Sequence, residues 1–312
     1  MFIDCDHVVT RDGRIHRVVG TLDYATRILA YNVYSPHPDG DRAYQGKQYR
    51  KNFEDTAATD DVLQLYRLLP ADDIAQHHDP VAAARYRRAK LESTVWADLY
   101  DELANVFSDD AVGVFGSAML GMHLTEHGAI RKDVDFVIHG NTADTVPVLA
   151  ERLPAIRSKL GFTDVTVDRQ QRQLARYQKV FRHPSNSLST VISRRWTALQ
   201  LSPQVVTTIR LRDPARTMPM NLVAPASTSL TEVVVTGEVT DISHSALFPI
   251  TFTLHGDDGP VEVAVFWWKF TTPVRLGDRV SVCGSFLPST GTVRVTHFSC
   301  HWLTIIEPAE TR

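Results

Sequence analysis

Cysteine is scarce. Cys5, Cys283 and Cys300 are the only three in 312 residues, too few and too scattered for a disulfide framework, and none stands in a CxxC or CxxH pair. This argues against a disulfide-stapled module and against a structural zinc site, and leaves buried free thiols as the expected state. No apolar run approaches the roughly 18 residues of a membrane span. The opening Met1-Phe2-Ile3-Asp4-Cys5-Asp6 has two acids where a signal peptide needs positive charge and then an apolar core. A cytoplasmic protein with no membrane partner is therefore expected. What is present is ordinary globular composition, 43% hydrophobic and 22% charged, over a length that suggests about two domains.

The net charge of −3 conceals a segregation. Residues 1–130 carry −7, residues 131–216 carry +8 and residues 217–312 carry −4. The central block includes Arg169, Arg172, Arg176, Lys179, Arg182, Arg194, Arg195, Arg210 and Arg212. Clustered guanidinium groups of this kind hold phosphates by charge-assisted hydrogen bonds, and the alternative is a solvated basic helix face.

The first 55 residues alternate short β-like runs with turn signals, Arg11-Asp12-Gly13 and Ser35-Pro36-His37-Pro38-Asp39-Gly40-Asp41. From Asp79-Pro80 the apolar residues Val81, Tyr86, Leu91, Val95, Leu99, Leu103 and Val106 recur at helical spacing, which predicts one long amphipathic helix capped by Asp79. Ala111–Phe115 reads as a strand stopped by Gly116-Ser117, Ala118–Leu124 as a helix, Val134–Ile138 as a second strand and Thr142–Leu160 as the next helix. Strand, helix, strand, helix implies an α/β or α+β mixed sheet with flanking helices. Further on, Asp168–Phe181 reads as a helix, His183–Asn186 as a turn, Arg194-Arg195-Trp196 as part of a helix and Val205–Leu211 as a strand. The proline-punctuated, nearly uncharged stretch through Ala226-Ser227 marks the expected boundary between a domain at 1–226 and another at 227–312. The second is all β in its chemistry, with about five strands from Glu232 onward. Its stretches Val235–Val239 and Leu276–Gly284 resemble strands of the OB-fold, so an OB-like barrel is expected.

The most informative local pattern is Gly116-Ser117 after an apolar strand, followed by Asp133-Val134-Asp135-Phe136 opening the next. Two carboxylates at i and i+2 of a strand project from one face about 6 to 7 Å apart, a spacing from which both reach one or two hard cations. Gly116 permits close backbone approach, and Ser117 with the amides that follow it suits phosphate oxygens. Acids also decorate exposed strand ends, but Val134, Phe136, Val137 and Ile138 mark this strand as mostly buried, so the acids at its mouth need a partner.

The pattern resembles the signature of the polymerase-β-like nucleotidyltransferase superfamily, and the N-terminal extension (Asp12–Ile15, Pro38–Arg42, Tyr49–Lys51) is similar to that of predicted archaeal and bacterial members. The resemblance implies Mg²⁺ or Mn²⁺ at Asp133 and Asp135, an NTP such as ATP as donor with its phosphates at Gly116 and Ser117, and transfer of a nucleoside monophosphate to an acceptor hydroxyl with release of pyrophosphate. The acceptor stays open between an RNA end, a small molecule and a protein side chain, as does the oligomeric state. The family's third carboxylate has no obvious counterpart: threonines fill the strand Val205–Leu211, and Asp164, Asp168 and Asp213 are the alternatives to its absence. Without a third acid, a non-catalytic nucleotide- or nucleic-acid-binding protein with a degenerate transferase site is the rival reading. Fifteen residues separate Ser117 from Asp133, a loop carrying His123, Glu126, His127, Arg131 and Lys132 and somewhat longer than the family's usual one.

Three further features have two readings each. Arg194 and Arg195 with Trp196 suit either a triphosphate and a stacked base or a surface helix. Neither His77-His78 nor the pair His123 and His127 has a complete set of zinc-ligand spacings. Phe266, Trp267, Trp268 and Phe270 are expected to pack inside rather than stack bases, because strand alternation turns half of them inward and the domain is acidic.

Overall fold

The computed structural model describes residues 1–24, 26–52, 59–92, 94–124, 133–181, 185–223, 230–267, 270 and 273–309. The fold is mixed α/β with three sheets. It divides into two compact units: residues 1–54, 66–166 and 197–217 form the first, and residues 55–65, 167–196 and 218–312 the second. A single cut near residue 226, itself outside the described residues, does not describe this division. Residues 55–65 and 167–196 fold with the C-terminal strands rather than with their neighbours in sequence.

The first unit opens with an antiparallel sheet of seven strands: β1 (His7–Thr10), β2 (Ile15–Val18), β3 (Arg27–Pro36), β4 (Arg42–Tyr44), β5 (Lys47–Lys51), β6 (Tyr66–Pro70) and β7 (Ile74–His78), in the order β4-β5-β3-β2-β1-β7 with β6 also on β3. Its inward residues Val9, Ile15, Val33, Tyr34, Tyr44 and Tyr49 form one apolar cluster with Leu120 and Met122.

Helix α1 (Pro80–Arg87) starts as the sequence predicts, with Asp79 Oδ1 accepting from the Ala82 amide at 2.8 Å and proline in the first turn. The predicted single long helix is broken, however. A 3₁₀ turn spans Arg88–Leu91, and α2 (Val95–Phe107) begins anew after an extended Thr94 whose hydroxyl donates to the Leu91 carbonyl. A short hydroxyl side chain competing for backbone acceptors supplies the break that periodicity alone does not register.

The second sheet holds β8 (Val112–Phe115), β9 (Asp135–His139), β10 (Ala198–Gln200) and β11 (Val206–Arg212) in the order β10-β11-β9-β8. Strand β9 runs antiparallel to β8 and parallel to β11. Between β8 and β9 lies α3, a single turn at Ser117–Leu120 that Gly121 ends in the left-handed conformation, so the helix predicted to Leu124 stops early. After β9, α4 (Thr142–Lys159) is capped by Asn141, whose side chain accepts from the Ala143 amide. Just after α4, Thr163 forms a single bridge with Gln200.

In the second unit, α5 (Val167–Tyr177), α6 (Ser185–Ser193) and the one-turn α7 (Met220–Val223) accompany six strands: β12 (Thr231–His244), β13 (Ile250–Gly256), β14 (Gly259–Val265), β15 (Arg279–Leu287), β16 (Thr292–Val295) and β17 (Trp302–Glu307). The order β12-β13-β14-β16-β15 returns to β12, closing a five-stranded barrel, and β17 adds to β15 outside the closure. The β14–β16 pair is parallel. Closure removes the free edges of these five strands. Phe266, Trp267 and Phe270 are buried, and Trp267 and Phe270 pack with Tyr177, Phe181 and Phe298 in one aromatic cluster. They are core residues, as expected; Trp268 lies outside the described residues.

Arg194, just past α6, points both terminal nitrogens of its guanidinium at Asp278, with Nη2 3.1 Å from Oδ1, and Nη1 also reaches the Pro273 carbonyl. Asp278 has no exposed surface and takes two further amides, those of Arg275 and Ala309. Burial works to raise the Asp278 pKa, but Arg194 and those amides hold it below the ordinary carboxylate value. Removing one member of a buried pair leaves the other uncompensated. Arg194→Met is therefore expected to destabilise the fold by about 3 to 5 kcal/mol, read as a lowered midpoint in denaturant unfolding of the full chain.

Candidate functional site

The antiparallel register of β8 and β9 sets Phe115 opposite Asp135, so the turn leaving β8 and the carboxylate opening β9 occupy the same end of the sheet. Gly116 follows directly with φ of 66°, a conformation that side-chain-bearing residues rarely adopt. A Cβ there would stand 3.9 Å from Asp135 Oδ2, so the bare glycine backbone faces the carboxylate. Ser117 begins α3, whose single turn gives only a short run of aligned amides. Gly116, Ser117 and Asp135 thus meet at one sheet end, and Asp133, partly exposed, stands two residues before β9 starts.

Asp135 Oδ1 accepts from the Thr208 amide at 3.0 Å, leaving Oδ2 toward Gly116. Burial, and then the charge of Asp133, push the Asp135 pKa up to about 7; the Thr208 amide, Arg210 and Lys51 pull the other way. Two oxygen-bearing acids, one of them kept partly protonated near neutrality, are a donor set suited to a hard divalent cation, which would relieve both the burial and the mutual repulsion.

Among the described residues of the first unit, neither β11 nor Asp164 and Asp213 supplies the third acid. In the parallel pairing, Ile209 stands beside Phe136, so Thr208 is the neighbour of Asp135 on β11. Thr207 turns its hydroxyl to the Val134 carbonyl. Asp213 lies just beyond Arg212, which pairs with His139 at the far end of β9, so it is about 16 Å along the strand from Asp135 at roughly 3.3 Å per residue. Asp213 Oδ1 accepts from the Ala215 amide. Asp164 is paired with Arg157 at the surface, and Asp168 lies in α5 of the other unit.

The basic block divides between the two units. Arg169, Arg172, Arg176, Lys179, Arg194 and Arg195 belong to the barrel unit, whereas Arg210 and Arg212 are buried on β11 of the first; Arg182 lies outside the described residues. The expectation that Arg194 holds a triphosphate is corrected by its engagement with Asp278, and α6 ends before Arg194-Arg195-Trp196 rather than including them. Arg212 is likewise structural, binding Asp6 and Asp79 at 2.6 Å each.

Other residues close to Asp135 escaped the sequence reading. Arg17 on β2, its guanidinium carbon 5.4 Å from the centre of the Phe115 ring, feels the Asp135 charge, as do Lys51 on β5 and the buried Tyr34 on β3. The one available signal was a cation in a short strand flanked by apolar residues, Ile15-His16-Arg17-Val18.

Of the residues named in the long loop, His123 is described, whereas Glu126, His127, Arg131 and Lys132 lie outside the described residues. His123 is buried, neither ring nitrogen has a partner, and burial together with Arg87 and Lys90 lowers its pKa to about 4. His77 bonds Asp6 and His78 bonds Tyr44. In the barrel unit, His297, Cys300 and His301 bring potential metal ligands within 4.8 Å of one another. His301 Nδ1 there accepts the amides of Thr296 and His297, which puts the proton on Nε2 beside Ser285 and gives that ring a turn-stabilising task.

The chain matches no family model and no curated protein, so the resemblance drawn above rests on its own residues. No helix among the described residues is long and apolar enough to cross a membrane.

Because a cation competes with the proton on Asp135, divalent-metal affinity should rise as pH increases through about 7 and level off above it. Titrations of Mn²⁺ at pH 6 and pH 8 test this, and a pH-independent affinity counts against Asp135 as a ligand.

Proposed function

We propose that the first unit is a metal-dependent nucleotidyltransferase that moves a nucleoside monophosphate from an NTP to an acceptor hydroxyl and releases pyrophosphate. The observation that carries this reading is the meeting of Gly116 with the Asp135 carboxylate at one end of the β8–β9 pair. Asp133 and Asp135 would hold Mg²⁺ or Mn²⁺, which when bound supplies charge neutralisation for the triphosphate and the leaving pyrophosphate. Gly116 lets phosphate oxygens approach the backbone, and Ser117 offers a hydroxyl donor. The order β10-β11-β9-β8, a strand–turn–helix–strand unit beside a parallel neighbour, fits the transferase sheet that the sequence suggested. For the second unit, five strands in a closed ring with one out-of-order parallel pairing support an OB-like barrel. The acceptor falls among an RNA end, a small molecule and a protein side chain.

A second reading, a module that binds metal and nucleotide without transferring, is favoured by one observation: Thr208 stands beside Asp135 where a third carboxylate would complete the metal site.

Calorimetry with each of the four NTPs and Mg²⁺, on wild type and Asp135→Asn, decides whether the donor site exists. Binding that needs metal, weakened about 10- to 100-fold by the substitution, is expected, since hydrogen bonds and ion contacts to charged groups are worth about 1.5 to 3 kcal/mol. Pyrophosphate release with a pool of candidate acceptors then separates the readings. Release that Asp135→Asn abolishes supports transfer, and binding without release supports the second reading. Absence of NTP binding rejects both.

A further inference from the structure

In the barrel unit, the turn that joins β16 to β17 carries His297, Cys300 and His301, and one ligand atom from each lies within 4.8 Å of the others. The order His-x-x-Cys-His contains neither of the pairs, CxxC and CxxH, by which a zinc site is usually legible in a sequence. The strands bring two more donors to this turn. Cys283 on β15 pairs with Trp302, the residue that opens β17 two positions after Cys300. Ser285, on the same face of β15 as Cys283, stands opposite Glu232 of β12. The Ser285 hydroxyl is 3.3 Å from His301 Nε2, and the Cys283 thiol donates to Glu232 Oε1 at 3.3 Å. Register and these contacts set Glu232 and Cys283 beside the turn.

The charges around the two thiols are of one sign. Burial, and after it Glu232, raise the pKa of Cys283 to about 12 and that of Cys300 as well. Asp60, which accepts from the Ser299 hydroxyl, adds its charge at Cys300. A cation here relieves both carboxylates and stabilises thiolates. The two imidazoles divide between support and ligation. His301 Nδ1 is occupied by the amides of Thr296 and His297, so that ring holds the turn. His297 Nδ1 is 3.1 Å from the Thr296 hydroxyl. With its proton on Nδ1, His297 donates there and keeps its lone pair on Nε2, the arrangement that orients metal-binding histidines.

We propose that Cys283, Cys300, His297 and Glu232 form a Zn²⁺-type site that fastens the β16–β17 turn to β12 and β15. Two sulfurs, one imidazole nitrogen and one carboxylate are four donors of the kinds Zn²⁺ takes in tetrahedral geometry. Both thiols release their protons to solvent and bind as thiolates. His301 is a positioning residue. This site lies in the other unit from Asp133 and Asp135 and is independent of the transferase reading.

The test uses the full untagged chain, kept reduced and stripped of metal, with Co²⁺ and Zn²⁺ as probes on wild type, Cys300→Ser, Cys283→Ser, Glu232→Gln and His297→Gln. Cys300 and Glu232 are exposed, so their variants are expected to fold, and thermal midpoints in chelator check every variant. Co²⁺ should give wild type a thiolate-to-cobalt charge-transfer absorption that Zn²⁺ displaces, and Zn²⁺ should raise the thermal midpoint. Each cysteine variant should lose part of that absorption. Zn²⁺ affinity, read by displacement of cobalt, should fall roughly 10-fold or more in every variant. No charge-transfer absorption in wild type, or absorption undiminished in Cys300→Ser, overturns the site. Wild-type Zn²⁺ affinity in His297→Gln or Glu232→Gln overturns this ligand set. Carboxylates give no such absorption, so cobalt held by Asp133 and Asp135 does not mimic the signal, and failure here leaves the transferase reading untouched.

Discussion

The first unit depends on one guanidinium. Arg212, at the end of β11, reaches Asp6 at the entry to β1 and Asp79 at the cap of α1, all three drawn from segments far apart in the chain. Asp6 also holds His77, and Asp79 also caps the helix through the Ala82 amide. Burial works to raise the Asp79 pKa, whereas Arg212 and the backbone amides bring it below the ordinary value. Its contribution to stability is thus present above the unfolded carboxylate pKa and fades as pH falls through the folded one. This set of contacts ties the N-terminal sheet, the first helix and the central sheet together, and so fixes the frame within which the residues near Asp135 have their positions.

Polar groups are buried along this one face of the central sheet, and they divide into two kinds. Arg212 and its acids satisfy one another. Around Asp135 satisfaction is incomplete, for a carboxylate with a raised pKa stands beside another acid with only the Thr208 amide bonded to it. Structural ion pairs also perturb titrations, so the mismatch gains meaning from the bare Gly116 backbone that faces the same carboxylate. The same comparison sets His301 of the barrel unit apart, since its Nδ1 is fully used by backbone amides.

What was readable in the sequence was local. Gly116-Ser117 and Asp133-Val134-Asp135 stand out because their spacing and their apolar flanks are set within a few residues, and the barrel was readable because five β-rich runs alternate with turns. The identity of the Asp135 neighbour was not, because the β9–β11 pairing joins residues 73 apart and register has no signature in either strand alone. The block of arginines misled for a related reason, since closeness along the chain placed Arg194 and Arg212 together while the fold assigned them to different units and gave each its own acid.

The division into units has a bearing on how the protein is made. The chain passes from one unit to the other five times, and the barrel unit draws on residues 55–65 and 167–196 as well as on 218–312. Asp60 and Val62 bond to Phe298 and Thr296, and Arg194 waits for Asp278. During synthesis, residues 55–65 leave the ribosome more than 200 residues before Thr296 and Phe298, and Arg194 leaves 84 residues before Asp278, so both segments spend an interval without their final partners. Everything the first unit needs is out by residue 217, and its assembly precedes that of the barrel.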